Sequence, residues 1–419
     1  VLVLTSRLGM GGAERHSITL ANALSAQLRV GVAYLKPEED LLDALATERL
    51  FTVHSLRAGA RIDTRAVREL AELVQTHRVQ VIVTANAYAL MYAHLARGLC
   101  KQPLSVVQVF HTTGLVGLKA HLAMAFYRPW FWATHHSVFV CEAQRRHWRN
   151  RGLWSRRVHT IPNGVDTQHF NPTDFAAPAA KLRAQLGWRS SDRVVGLCAV
   201  LRPEKAHHLL VQAVAQLHAR GQAWRVLIVG DGPLRTELEH TIARAGLRGH
   251  VHITGYLADV RTHLAACDVV ALPSTSETFS LAALEAMAMA RPVVLSDVGG
   301  AREQVIHGRH GYLFARGDAL ALAEALRRLW QTTHAQTLGA AARQRVVQQF
   351  SLHGMVERYR ALLEPLCQAL WQRRPDADAD ANANANANTN TNINTSPSLS
   401  LSGPPLSPSP ASKPSAFSG

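Results

Sequence analysis

The chain opens on the apolar run VLVL, and short β-branched or leucine-rich runs of the same kind recur along it, with helix-length Ala- and Leu-rich stretches between them. Strands that read as near-continuous apolar runs are those covered by helices on both faces of a parallel sheet. The runs predict strands at Val1–Thr5, Arg29–Tyr34, Val79–Thr84, Ser105–Val109, Ser137–Val140 and Val158–Ile161. In the second half they predict strands at Val194–Val200, Val226–Val229, Val251–Thr254, Val269–Leu272 and Pro292–Ser296. Alternating strand and helix is the pattern of repeated βαβ units, so the expected fold class is α/β with two doubly wound, Rossmann-like domains. The turn-rich segment Pro162–Asn163–Gly164–Val165–Asp166, with Pro172 and Pro178 beyond it, marks the passage between them. The boundaries follow as residues 1–165 and 166–350.

Past Arg374 the sequence changes to Asp-Ala and Asn-Ala-Asn-Thr repeats and then to Ser and Pro. A tail of that composition, residues 375–419, has almost nothing to bury and is expected to be disordered. Its Asp376-Ala377-Asp378 string matches an Asp-x-Asp metal-binding motif, but that motif needs a rigid strand end, and here it reads as low complexity.

Composition narrows the partners. The 419 residues are 47% hydrophobic and carry a formal net charge of +15. The basic residues are dispersed, without the aromatic-rich signature of a nucleic-acid module, which disfavours nucleic acid and leaves acidic small substrates or an anionic membrane surface. Cys100, Cys141, Cys198, Cys267 and Cys367 are spaced singly, which predicts structural thiols in a reducing, cytoplasmic compartment. No cleavable leader is legible at the start of the chain. The most apolar stretch, Leu115 to Val140, is broken by Lys119, His121, Arg128, Pro129, His135 and His136, so it does not span a bilayer. Leu115, Leu118, Leu122, Ala125 and Phe126 recur at helical spacing, with Trp130, Phe131 and Trp132 beside Arg128. That stripe either packs on the first sheet or lies on the inner face of the membrane.

The densest chemistry lies in LPSTSETFSLAALEAMAMARPVVLSDVGG, Leu272 to Gly300. A strand ends, a Ser/Thr loop follows and a helix begins near Phe279. The unpaired N–H groups of that helix start, from Thr278, Phe279, Ser280 and Leu281, form a site for a diphosphate. Glu285, inside the helix, is placed to accept two hydrogen bonds from a ribose diol, and Glu277, in the loop, to meet a sugar. For an isolated pair of glutamates, a helix cap and a solvated side chain would be the default. Leu201-Arg202-Pro203-Glu204-Lys205 follows another strand, where Arg202 and Lys205 are placed to neutralise a leaving diphosphate without a metal. Gly9-Met10-Gly11-Gly12-Ala13-Glu14 follows the first strand, and Gly11 and Gly12 allow close approach of backbone to a ligand. In that loop and in Gly230-Asp231-Gly232-Pro233, the third glycine of a dinucleotide fingerprint is replaced, by Glu14 and by Arg235, which argues against a nicotinamide cofactor. His111 sits at another strand end. His207-His208, His135-His136 and His307-x-x-His310 lack acidic or Cys partners at metal-site spacing and read as surface or packing residues, so no metal site is expected.

Together these segments resemble the family 4 retaining glycosyltransferases of the GT-B fold, from about Val1 to about Trp371. The most specific piece is Glu277-x7-Glu285 within SETFSLAALEAMAMARPVV, followed by Gly299-Gly300 and by Gly308 and Gly311; IPNGVDTQHF and GGAERH match further family segments. The resemblance implies two domains facing across a cleft and a final helix, residues 351–374, that returns to the first domain. It implies that Glu277 contacts the transferred sugar, residues 278 to 281 the sugar and diphosphate, and Glu285 the ribose. His111, Lys205 and Arg202 complete the expected catalytic set. The family commonly has an arginine where this chain has Val200, a role that falls to Arg202. The activity implied is metal-independent hexosyl transfer, with retention, from a UDP- or GDP-linked sugar to a saccharide or lipid-linked acceptor in envelope or polysaccharide synthesis. No separate cofactor is implied. A nucleotide-sugar epimerase or a non-catalytic nucleotide-sugar-binding protein would use the same scaffold.

Overall fold

The computed structural model describes residues 1–115 and 117–372. The predicted tail and its Asp376-Ala377-Asp378 string lie outside the described residues.

Seven parallel strands form the first sheet: β1 (Leu2–Thr5), β2 (Gly31–Tyr34), β3 (Val53–Ser55), β4 (Val81–Thr84), β5 (Ser105–Phe110), β6 (His136–Phe139) and β7 (Arg157–Thr160), in the order 3-2-1-4-5-6-7. Six parallel strands form the second: β8 (Arg193–Cys198), β9 (Trp224–Val229), β10 (Val251–Ile253), β11 (Val269–Leu272), β12 (Val293–Ser296) and β13 (Gly311–Phe314), in the order 10-9-8-11-12-13. The central strands are buried along their whole length, as β1, β4 and β11 show, which is why their sequences do not alternate. In both sheets the strand order reverses beside the first strand, between β1 and β4 and between β8 and β11. At such a switch point neighbouring connections leave on opposite faces and open a crevice at the carboxyl ends of the strands, where ligands of doubly wound folds bind.

Two strands depart from the sequence reading. β3 is only three residues long and half-buried, and β13 follows directly on the glycine turn at Gly308. Both are edge strands whose short segments resemble loop. The Pro162–Asp166 segment leads out of the first sheet, and its Val165 bridges Ser351 ahead of the last helix, Leu352–Trp371. That helix packs on the first helix, Gly12–Leu24, and on β4. Arg360 donates to the Gln27 side chain at 2.6 Å and Gln80 donates to the Cys367 carbonyl at 3.2 Å, so the chain end is stitched to the first sheet.

Candidate active site

The loops after β8 and β11 flank the switch point of the second sheet. They are tied together: the Thr275 N–H donates to the Glu204 carbonyl at 2.8 Å, and Lys205 Nζ lies 2.5 Å from Glu277 Oε2. Both members of that ion pair keep about a quarter of their side-chain surface exposed. The residues expected to meet the diphosphate and the sugar are therefore adjacent, and each holds the other in place. Arg202 is exposed and makes no ion pair. The turn Gly230–Pro233 braces this loop: Leu201 and Asp231 are joined backbone to backbone at 2.9 Å, and a Cβ on Gly230 would lie 2.0 Å from the Ala199 carbonyl oxygen.

Ser280 Oγ caps the next helix, Leu281–Ala288, by accepting from the Ala283 N–H at 3.3 Å. The helix thus begins two residues later than the sequence suggests, and this changes two assignments. Phe279 lies outside it, 3% exposed, with its ring against Phe350 and its carbonyl held by Asn163 at 2.9 Å. The Ser280 N–H is already taken by Gln304 Oε1, whose amide returns a bond to the Ser280 carbonyl, so Ser280 has no free N–H for a ligand. Among the described residues, the N–H groups of Thr278, Phe279 and Leu281 meet no protein acceptor, and neither does that of Ala282. These orphan donors, with the helix dipole behind them, form an anion site facing the crevice.

Glu285 stands one turn inside this helix, about 6 Å along the axis from Leu281. Its carboxylate accepts no protein hydrogen bond, and burial pushes its pKa up, partly offset by the Arg15 guanidinium of the first helix. The side chain is half-buried, and among the described residues no protein group donates to its carboxylate, so the hydroxyl donors of a ligand could be met there. Arg15 was not singled out in the sequence, although it lies within GGAERH.

The first sheet faces this site directly. The Thr278 hydroxyl donates to the His111 carbonyl at 2.8 Å, and the Thr113 hydroxyl donates to Thr278 Oγ1 at 2.8 Å. Glu303 accepts from the N–H groups of Glu142 and Ala143 at 2.9 and 2.7 Å, capping the helix Glu142–Arg149 from the other domain. Asn163, Glu303 and Gln304 were missed in the sequence; the only signal was their place in the Pro-Asn-Gly and Gly-Gly-Ala-Arg-Glu-Gln segments. Gly11 is the N-cap of the first helix, and neither Gly11 nor Gly12 has a positive φ. A Cβ on Gly12 would meet nothing within 4 Å, so the loop borders open space.

His111 packs against His16 with ring centroids 4.5 Å apart, and Tyr359 of the last helix lies 5.9 Å from His16. Burial lowers the His111 pKa to about 4 and that of His16 also falls, so both rings are neutral at pH 7, and the buried His111 Nε2 meets no hydrogen-bond partner among the described residues. A neutral buried histidine binds fewer protons folded than unfolded, so its stabilising contribution is present above pH 6.5 and is lost as pH falls toward 4. Burial lowers His94 and His207 to about 4 as well. The melting temperature is therefore expected to fall steadily across that window in a calorimetric pH series, and a flat profile would contradict the burial assigned to these rings. The remaining paired histidines are packing groups: His136 stacks on His159, and His307 and His310 accept backbone N–H groups around the turn before β13.

Gly299 sets the position of Glu277. Its φ is +55°, and a Cβ there would lie 2.0 Å from the Glu277 carbonyl oxygen, while the Gly300 N–H holds the Thr278 carbonyl at 2.8 Å. Gly299→Ala is expected to lower both the melting temperature and the affinity for nucleoside diphosphate, because the loop must shift. Unchanged values for both in calorimetry would show that the loop adapts.

Two doubly wound sheets whose carboxyl edges meet across a crevice, with a basic loop and an open helix N-terminus on one wall, define the two-Rossmann, GT-B architecture. A family model described as Glycosyltransferase Family 4 matches residues 10–169, and one described as Glycosyl transferases group 1 matches residues 192–332. The chain belongs to the family 4 glycosyltransferases. An α-D-kanosaminyltransferase of Streptomyces kanamyceticus is 31% identical over 209 residues, covering 47% of this chain and 53% of that one. A D-inositol 3-phosphate glycosyltransferase of Nocardia farcinica is 36% identical over 181 residues, covering 41% and 39%. The matches thus span about half or less of these relatives' lengths. Among solved structures, Anabaena HepE in complex with UDP superposes with a TM-score of 0.76 at 24% identity, over 87% of this chain and 99% of that one. Sucrose-phosphate synthase from Thermosynechococcus elongatus gives 0.77 at 23%, over 88% and 99%. These likenesses establish the fold.

Proposed function

We propose that the protein transfers a hexosyl group from a UDP- or GDP-linked sugar to a saccharide or lipid-linked acceptor, with retention and without a metal ion, in envelope or polysaccharide synthesis at the cytoplasmic face of the membrane. The observation that carries this reading is the half-buried Glu285, which accepts no hydrogen bond from the described residues, one turn inside a helix whose first N–H groups lack acceptors. Ribose hydroxyls and a diphosphate supply what each is missing. The names of the relatives support sugar transfer, and the neighbour that binds UDP supports a uridine donor.

In the reaction the bond from the sugar's C1 to the β-phosphate oxygen breaks, its electron pair leaving with the diphosphate. The acceptor hydroxyl oxygen bonds C1, and its proton passes to the departing phosphate. Charge growing on the diphosphate is met by Lys205, Arg202 and the helix N-terminus, which are already oriented. Glu277, fixed by Lys205, stands where the sugar would lie, and the neutral His111 offers a hydrogen bond from the opposite wall. Acceptor-dependent release of nucleoside diphosphate, with the product's anomeric configuration read by NMR, tests the reading. An inverted product removes retention, an altered free sugar points to an epimerase, and binding without turnover to a non-catalytic protein.

A further inference from the structure

The helix Gly117–Trp132 buries only Met124 and Phe131 deeply. Its solvent side carries Leu118, His121, Leu122, Ala125, Phe126, Pro129 and Trp132 at the spacing of a single stripe, with Lys119 beside them. Leu118 is 76% exposed, Leu122 63% and Trp132 49%. Leu115, Trp130 and Phe131 of the predicted stripe pack on the core of the first sheet, whereas Leu118, Leu122, Ala125, Phe126 and Trp132 face outward. Trp132 donates its indole N–H to the Gly152 carbonyl and Arg128 donates to the Arg151 carbonyl, which fixes beside the helix end a loop carrying Arg151 and the exposed Trp154. Arg61 lies over the Phe126 ring at 5.5 Å.

Along the chain from Leu73 to Val165 the charge is one-sided. Residues 73–165 contain eleven lysines and arginines and a single acidic residue, Glu142, which is itself paired with Arg145 at 2.7 Å. Exposed leucines and tryptophans in a stretch of chain rich in basic residues match the headgroup region of an anionic bilayer, where apolar side chains enter the acyl boundary and basic ones meet phosphate. No described helix is long and apolar enough to cross a membrane. We propose that this face docks the protein on an anionic lipid surface. The loop that enters the helix carries His111 and Thr113, and Thr113 touches Thr278. If the glycosyltransferase reading holds, on which this consequence alone rests, the crevice opens beside the bilayer and the acceptor is lipid-anchored.

The test is co-sedimentation with vesicles of equimolar phosphatidylcholine and phosphatidylglycerol, and with phosphatidylcholine alone, at low and high salt. The expected result is binding to the anionic vesicles that weakens with salt and falls by about tenfold or more in the double variant Leu122→Glu, Phe126→Glu. Both positions are exposed, so the variant should fold, and a melting-temperature shift on adding UDP reads the donor site independently of the vesicles. Equal binding to neutral vesicles, no binding to either, or undiminished binding by the double variant overturns the proposal. So does a dimer in solution that Leu122→Glu converts to monomer, since the face would then belong to a second copy.

Discussion

Lys205→Ala is expected to lower kcat by about a hundredfold or more, because a preoriented charge aimed at a developing anion acts mainly in the transition state. The substitution also leaves Glu277 without the partner 2.5 Å away, so a bare carboxylate would face the diphosphate and repel it. The loss should therefore exceed that of Arg202→Ala, whose side chain is exposed and unpaired. Steady-state kinetics on both variants decides this; equal, modest losses would mean that Lys205 only stabilises the loop. Since the positive groups are proposed to replace a divalent ion, turnover by the unmodified protein should survive EDTA. Activity lost in EDTA and restored by Mg²⁺ would overturn that part of the account.

Glu285→Gln is expected to weaken donor binding by about tenfold or more, since a hydrogen bond to a charged group is worth about 1.5–3 kcal/mol. The same change should leave the free protein as stable or more so. Burial raises the pKa of Glu285, so its carboxylate costs folding free energy at pH values above the range in which an unfolded glutamate titrates. Affinity and stability moving in opposite directions is a signature of a ligand-binding group. A variant that is both less stable and unchanged in affinity would make Glu285 a structural residue. Calorimetry on the free and donor-bound forms reads both quantities.

Much of this fold is legible in the sequence because its central strands, such as VLVL and VIVT, are apolar on both faces, and few local structures other than a covered parallel strand suit such a run. The edge strands β3 and β13 escape for the opposite reason: each is short and lies beside turn residues. In the site, Glu277, Glu285 and Lys205 stand out by position relative to strand ends. Their relations do not, because they join distant segments. The pairing of Lys205 with Glu277, the Gln304 side chain that takes the Ser280 N–H, and the Glu303 cap on the helix of the other domain depend on tertiary placement alone. The stripe on Gly117–Trp132 is the reverse case. Its period is visible in the chain, but whether it faces inward or outward is decided by what the rest of the domain leaves uncovered.

The central claim is that the crevice edge formed by the loops after β8 and β11 and the start of Leu281–Ala288 holds a nucleoside diphosphate sugar. Isothermal titration with UDP, GDP and their sugars tests it most directly, run on the unmodified protein and on Glu285→Gln. Saturable one-to-one binding of one nucleotide series, weakened more than about tenfold by the substitution, is the predicted result. Heats indistinguishable from dilution for every nucleotide, or binding that Glu285→Gln leaves untouched, would contradict it.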